Sequence, residues 1–168
     1  IATEASELIG QTEMVKYNDE GKAAMKAKDY PTAIAAFSKV LEMDPTNGAT
    51  AIQLGQAYMR AGQFEESNAA LEIAKANGQE ANAVKLISQN YLKMAQAAVK
   101  AKKYQEAVDL AAKSNEALES GNAYKISASA LQKLGKNAEC IAAYEKYLEV
   151  TPNAKDAGGI NCTIAVLY

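Results

Sequence analysis

Residues 29–47, DYPTAIAAFSKVLEMDPTN, decide the fold because they read as one amphipathic helix with a marked start and stop. Pro31 suits a first helical turn, where the amide proton that proline lacks would have no helical partner. Apolar residues such as Phe37 and Val40 recur at the spacing that places them on one helix face. Asp44-Pro45 ends the helix, since the residue before a proline is pushed out of the α region.

The same pattern is repeated three more times downstream. The matching segments are DYPTA (29–33), QFEES (63–67), KYQEA (103–107) and KNAEC (136–140). A helical stretch and a tight turn precede each segment, and a second helix follows it. Self-similarity at a fixed interval indicates stacked copies of one helical hairpin, because a single hairpin cannot bury its own apolar face.

Small and large residues recur at equivalent positions of these hairpins. The first helix of each has a small residue at Gly21, Gly55, Ala95 and Ala128, and the second helix opens on one at Ala33, Ser67, Ala107 and Cys140. A larger position follows four residues later, at Phe37, Leu71, Ala111 and Tyr144. Together with LGQAY at 54–58, this pattern resembles the tetratricopeptide repeat, a helix–turn–helix unit of about 34 residues. The resemblance covers roughly residues 14 to 154.

The resemblance implies an all-α fold, a right-handed α-solenoid of about four helix–turn–helix units with an extra helix at the C-terminal end. We expect residues 1–12 to form a leader or short helix. The four units then occupy 13–154, at about 14–47, 48–81, 82–120 and 121–154, and residues 155–168 form the first helix of a fifth unit or a capping helix. The apolar residues at 164–168 make a poor cap, so we expect the full protein to continue. Ile1 in place of Met likewise indicates a processed chain or a fragment.

Two irregularities need structural explanations. The interval from Phe64 to Tyr104 exceeds the usual repeat length, and we place the extra residues as added turns at the start of a helix over 81–101, with a looser loop over 77–82 as the alternative. Repeats two and three lack a closing proline. Asn77-Gly78 and Ser120-Gly121 are predicted to end those helices instead, because glycine just past a helix end is a common stop.

Composition excludes several classes of function. The chain has no histidine, which removes His-based acid–base catalysis and most zinc or haem sites. No phosphate-binding loop occurs, and we predict no enzyme activity, cofactor or metal. The formal net charge of −2 gives no reason to expect nucleic acid, and no apolar run reaches the length of a membrane span. Localisation stays open between the cytoplasm and, if a signal peptide has been removed, the periplasm or outside.

The two cysteines, Cys140 and Cys162, both fall near small packing positions. They are too few for a disulfide framework and do not show CxxC spacing. We expect buried thiols, with a disulfide across adjacent helices as the alternative.

In the family that the chain resembles, the first helices of successive units line a concave groove that binds ligands. Carried over position by position, the resemblance gives these ligand-binding residues: Asn18, Lys22, Met25, Lys26, Ile52, Gln56, Met59, Arg60, Leu92, Gln96, Lys100, Lys125, Ser129 and Lys133, with Val99 and Gln132 in the same register. The set contains six basic residues and no acid, although the whole chain is slightly acidic. Long basic and amide side chains suit carboxylates and extended peptide backbones.

We therefore predict a non-enzymatic scaffold that binds a protein or peptide segment, with an acidic ligand as the charge-matched case. The alternative is a structural spacer or self-association domain within a longer protein.

Overall fold

The computed structural model describes residues 1–153 and Cys162. Those residues contain eight α-helices and no strand. The helices are α1 (Ala2–Ala27), α2 (Tyr30–Met43), α3 (Gly48–Ala61), α4 (Phe64–Ala76), α5 (Glu80–Lys100), α6 (Tyr104–Ala117), α7 (Gly121–Lys133) and α8 (Asn137–Val150). The all-α helical-repeat class predicted from the sequence is confirmed. The expected extra helix at 155–168 lies outside the described residues, apart from Cys162.

The stretch that decides the fold forms α2, within the predicted limits. The Asp29 carboxylate accepts hydrogen bonds from the Thr32 backbone amide at 3.3 Å and from its hydroxyl at 2.7 Å, which caps the helix start. Pro31 lies in the first turn, and Asp44 closes the helix just before Pro45.

The tight turns that separate the two helices of each hairpin share one backbone conformation. Each contains a residue with positive φ: Lys28 at 59°, Gly62 at 79°, Lys102 at 61° and Gly135 at 71°. This left-handed conformation exposes the last helical carbonyls to the amides that follow, so the chain reverses within two or three residues. Glycine takes it without a steric cost, whereas Lys28 and Lys102 adopt it against their intrinsic preference.

Two helices are longer than the repeat requires. The predicted leader at 1–12 is not a separate element, because α1 runs unbroken from Ala2 to Ala27. The extra residues of the third repeat lie in α5, which has 21 residues against 14 in α3. They precede the small position Ala95, so the added-turn interpretation is confirmed and the loop alternative is wrong.

The predicted glycine stop at Ser120-Gly121 is also wrong. Helix α6 ends at Ala117, and Leu118 leaves it in an extended conformation. Gly121 is instead the first residue of α7 and is buried. A Cβ there would lie 2.8 Å from the Thr151 methyl carbon, so this glycine permits close packing. The other predicted stop, Gly78, does have positive φ, at 83°.

The chain divides into two compact units, Ile1–Ile87 and Ser88–Tyr168, with the boundary inside α5. In the core of the first unit, large side chains of the second helices pack directly against small residues of the first helices. A Cβ on Gly21 would lie 2.5 Å from Phe37 Cε1, and one on Gly55 would lie 2.7 Å from the Leu71 side chain. Both large side chains are almost fully buried, Phe37 at 1 % and Leu71 at 0 % exposure.

The second unit has a core built largely of alanine. Its buried cluster comprises Ala95, Ala98, Ala107, Leu110, Ala111, Ala123 and Ala130. The predicted small positions of this unit are buried, but the predicted large position Tyr144 is only partly so. Tyr147 is the buried aromatic residue of α8, and its ring centroid lies 6.1 Å from that of Tyr144. Tyr147 lies one turn further along α8, against the start of α7 at Gly121.

Cys140 and Cys162 form a disulfide, which corrects the expectation of buried thiols. Both are buried, in a cluster with Ala128 and Leu131. The Cys140 position repeats that of Ser67, whose hydroxyl donates a hydrogen bond to the Gly55 carbonyl at 2.7 Å. Cys140 Sγ approaches the equivalent Ala128 carbonyl at 3.2 Å, but a disulfide sulfur carries no proton and donates nothing. Sequence spacing alone could not decide between the two states, since both fit a small packing position.

Candidate ligand-binding surface

In the first unit, the predicted ligand-binding residues all reach solvent. Lys22, Lys26 and Arg60 are exposed, and the remaining members on α1 and α3 are partly buried. Met25 packs partly against the core cluster of this unit, so it presents only part of its side chain. The Asn18 side-chain oxygen is buried and accepts no hydrogen bond from the described residues.

In the second unit, most of the predicted residues meet around one cavity. A cavity of about 350 Å³ between α5 and α7 is lined by Gln96, Val99, Lys100, Lys125, Ile126 and Ser129. Val99 and Ile126 pack against the alanine-rich core from the other side, so they form an apolar floor. Gln96 and Lys100 are exposed at the rim. Leu92 packs against the same core, and Lys133 is exposed but does not line the cavity.

Two residues of this cavity region were missed by the sequence reasoning. Ile126 lines the cavity, and its spacing from buried Ala123 and Ala130 on α7 could have placed it on the apolar face. Tyr147 lies beneath the Lys125 ammonium group, which is 6.0 Å from its ring centroid. A contact of this kind holds the Lys125 side chain in place, but no local sequence pattern indicated it.

A second cavity, of about 380 Å³, lies between α1 and α2 in the first unit. Lys39 lines it, and its ammonium group donates to Glu42 at 2.9 Å. That hydrogen bond and the charge of Glu42 raise the pKa of Lys39 above its ordinary value. The cation is therefore already compensated by its own helix, unlike Lys100.

The ion pairs of the described residues are segregated to one set of helices. Apart from the N-terminal amine with Glu4, five Lys–Glu pairs occur, all at i,i+3 on or directly before a second helix. They are Lys39–Glu42, Glu72–Lys75, Lys103–Glu106, Lys136–Glu139 and Lys146–Glu149. The Lys146–Glu149 hydrogen bond also raises the pKa of Lys146.

The cations of the first helices differ from these. Lys22, Lys26, Arg60, Lys100 and Lys133 have no acidic partner among residues 1–153 and Cys162. All five are exposed. Five of the six lysines on or directly before a second helix thus pair with a glutamate of the same helix, and the sixth, Lys113, lies 5.9 Å from the Tyr91 ring centroid.

Comparison with protein families agrees with the repeat pattern. Tetratricopeptide repeat models match residues 24–90 and 122–154, which together span more than half of the chain. The chain belongs to the tetratricopeptide repeat family. Its repeats occupy the helical hairpins described above, and the first helices of the repeats carry the candidate surface.

Solved structures give the same fold for these tetratricopeptide repeats. A crystal structure of MamA protein matches with a TM-score of 0.55 and 24% identity, covering 86% of this chain and 76% of that one. The structure of MamA AMB-1 matches with a TM-score of 0.53 and 26% identity, covering 88% and 78%. A further MamA crystal structure has a TM-score of 0.51 and 24% identity, covering 82% and 77%.

Membership of the tetratricopeptide repeat family supports a coarse functional assignment, that of a protein-interaction scaffold. Within the described part of the chain, no group of three or more acidic or cysteine residues is placed to hold a metal ion. None of the described helices combines the length and the apolar character of a membrane span.

Proposed function

We propose that the chain is a non-enzymatic scaffold whose first helices bind an acidic protein or peptide segment through their basic, partly apolar surface. One observation carries the proposal: among the described residues, five of the six lysines on or directly before a second helix are ion-paired, Lys113 being the exception, whereas Lys22, Lys26, Arg60, Lys100 and Lys133 of the first helices are not. If lysine served only for solubility, both sets would be expected to pair alike.

The energetics require several contacts at once. A single exposed ion pair contributes about 0.2–1 kcal/mol, because water screens it and two long side chains lose freedom. A segment that meets several unpaired cations of one unit adds these small terms. Its backbone can pair with amides of that unit, such as Gln56 in the first unit or Gln96 in the second. Partly buried side chains such as Met59 supply an adaptable apolar contact. The expected complex is therefore of moderate affinity and sensitive to salt.

Charge reversal on the two sets of helices tests the proposal. Lys22→Glu, Arg60→Glu and Lys100→Glu together are expected to lower the affinity for acidic peptides about tenfold or more, since each change replaces attraction by repulsion. Binding is measured by fluorescence anisotropy with labelled peptides rich in Asp and Glu, beside peptides in which Lys and Arg replace those residues. Circular dichroism should show unchanged helix content.

The matched control is Lys39→Glu, Lys75→Glu and Lys146→Glu, which changes the formal net charge by the same amount but on second helices. It breaks three exposed i,i+3 pairs, each worth only a few tenths of a kcal/mol, so the fold should persist. Its affinity for the acidic peptides should fall much less than that of the first-helix variant. Equal losses in both variants would show that only net charge matters and would refute a specific surface.

A further inference from the structure

We infer that the cavity between α5 and α7 selects ligands that carry a large apolar side chain next to an acidic residue. This inference rests on the proposed function and specifies the ligand at one part of that surface. The apolar side chain would enter over Val99 and Ile126, and the neighbouring carboxylate would pair with Lys100. The other lining residues, Gln96 and Ser129, offer hydrogen bonds to the ligand backbone.

The size of the cavity determines which side chains it can accept. An apolar cavity of about 150 Å³ is large enough for benzene. The α5–α7 cavity measures about 350 Å³, so it can hold a leucine, phenylalanine or tryptophan side chain and part of the adjoining backbone. An alanine side chain would leave most of the floor uncovered.

The floor of the cavity is fixed by the fold. Val99 and Ile126 are packed from behind by the cluster that includes Ala95, Ala98 and Ala123. The cluster behind the floor consists mainly of alanine side chains from α5, α6 and α7. A preformed floor loses little freedom when a ligand covers it, which favours binding.

The two lysines of the cavity are not equivalent. Lys125 already lies over the Tyr147 ring, with its ammonium group 6.0 Å from the centroid. Lys100 is exposed and has no acidic partner among the described residues. The carboxylate of the ligand is therefore assigned to Lys100, at the C-terminal end of α5. Since Lys100 is exposed at the rim, the acidic group stays near solvent while the apolar group is covered.

Peptides that differ at one position test the inference with the whole chain. Short labelled peptides rich in Asp and Glu carry Leu, Phe or Ala at the centre, and their affinities are compared by fluorescence anisotropy. Leu and Phe are expected to bind about tenfold more tightly than Ala, because the cavity removes most of that side chain from water. Equal affinity of all three peptides would overturn the inference and leave the proposed function intact. A failure of every acidic peptide to bind would overturn the proposed function itself.

Three variants locate the selectivity and the carboxylate contact. Ser129→Phe fills the cavity from α7 and should remove the preference for Leu and Phe over Ala, while acidic peptides still bind. Asn122→Phe adds the same side chain at an exposed position of α7 outside the cavity, and should keep the preference. Lys100→Gln should lower the affinity of the chain for all the acidic peptides by a similar factor. If the preference survives in Ser129→Phe, another site selects the apolar residue. The comparison of peptides on the unaltered chain decides the matter even if Ser129→Phe does not fold.

Discussion

Phe37→Ala is expected to lower the free energy of unfolding by about 3–5 kcal/mol, the range found when a buried phenylalanine is truncated. The Phe37 side chain is 1 % exposed and lies against Gly21, where a Cβ would be only 2.5 Å from the ring. Gly21 has no side chain that could move into the space left by the ring. The cavity therefore remains, and the loss should fall toward the upper end of the range. Urea unfolding followed by circular dichroism measures it.

The control for Phe37→Ala is Ile73→Ala in the same unit. Ile73 on α4 is 40 % exposed, so Ile73→Ala should lower the free energy of unfolding much less than Phe37→Ala does. Phe37 lies on a second helix, away from the first-helix surface, so the folded fraction of Phe37→Ala should bind acidic peptides as the unaltered chain does. Reduced affinity in the folded protein would place the binding surface on the second helices.

Removal of the Cys140–Cys162 disulfide is expected to lower stability by about 3 kcal/mol, because the bridge closes a loop of 22 residues in the unfolded chain. The double variant Cys140→Ser, Cys162→Ser should show this loss in thermal and urea unfolding. Serine suits the Cys140 position, since Ser67 occupies its equivalent and donates to the Gly55 carbonyl at 2.7 Å. The measured loss of stability should therefore come mainly from removal of the disulfide and only to a small extent from poorer packing.

Reduction provides the matched control for the disulfide. Adding a reductant to the unaltered chain should bring its stability down to that of the double serine variant. The same reductant should leave the double variant unchanged. If reductant has no effect on the unaltered chain under conditions that unfold it, the two cysteines are not bridged in the protein.

Much of the fold could be predicted because repetition supplies independent evidence for each position. A single small residue such as Gly55 can have many explanations. Small residues at the equivalent position of four repeats are explained by close packing of the two helices. Repetition also placed the turns at Gly62 and Gly135 correctly. The prediction failed at Gly121, because the sequence alone does not distinguish a glycine that ends one helix from a glycine that begins the next. The expectation of buried thiols failed for a similar reason, since Cys140 fits its packing position as a thiol or in a disulfide.

The candidate surface could be predicted only in outline. Helical register predicted a set of first-helix residues, of which the structure packs Met25 and Leu92 against the cores. The structure places Gln96, Lys100 and Ser129 around one cavity. Helical register did not reveal the apolar floor at Ile126 or the contact between Lys125 and Tyr147, because these depend on the approach of different helices. The distinction between paired and unpaired lysines also required the structure, since i,i+3 spacing permits an ion pair without forming it.

The most direct test of the proposed binding surface is a map of the amide resonances that shift when an acidic peptide is added to the isotopically labelled chain. A 17.8 kDa protein is well suited to two-dimensional nuclear magnetic resonance. We expect the largest shifts on α1, α3, α5 and α7, at residues near Lys22, Arg60 and Lys100, and small shifts on the second helices. Shifts concentrated on α2, α4, α6 and α8, or spread evenly over the chain, would contradict the assignment of binding to the first helices.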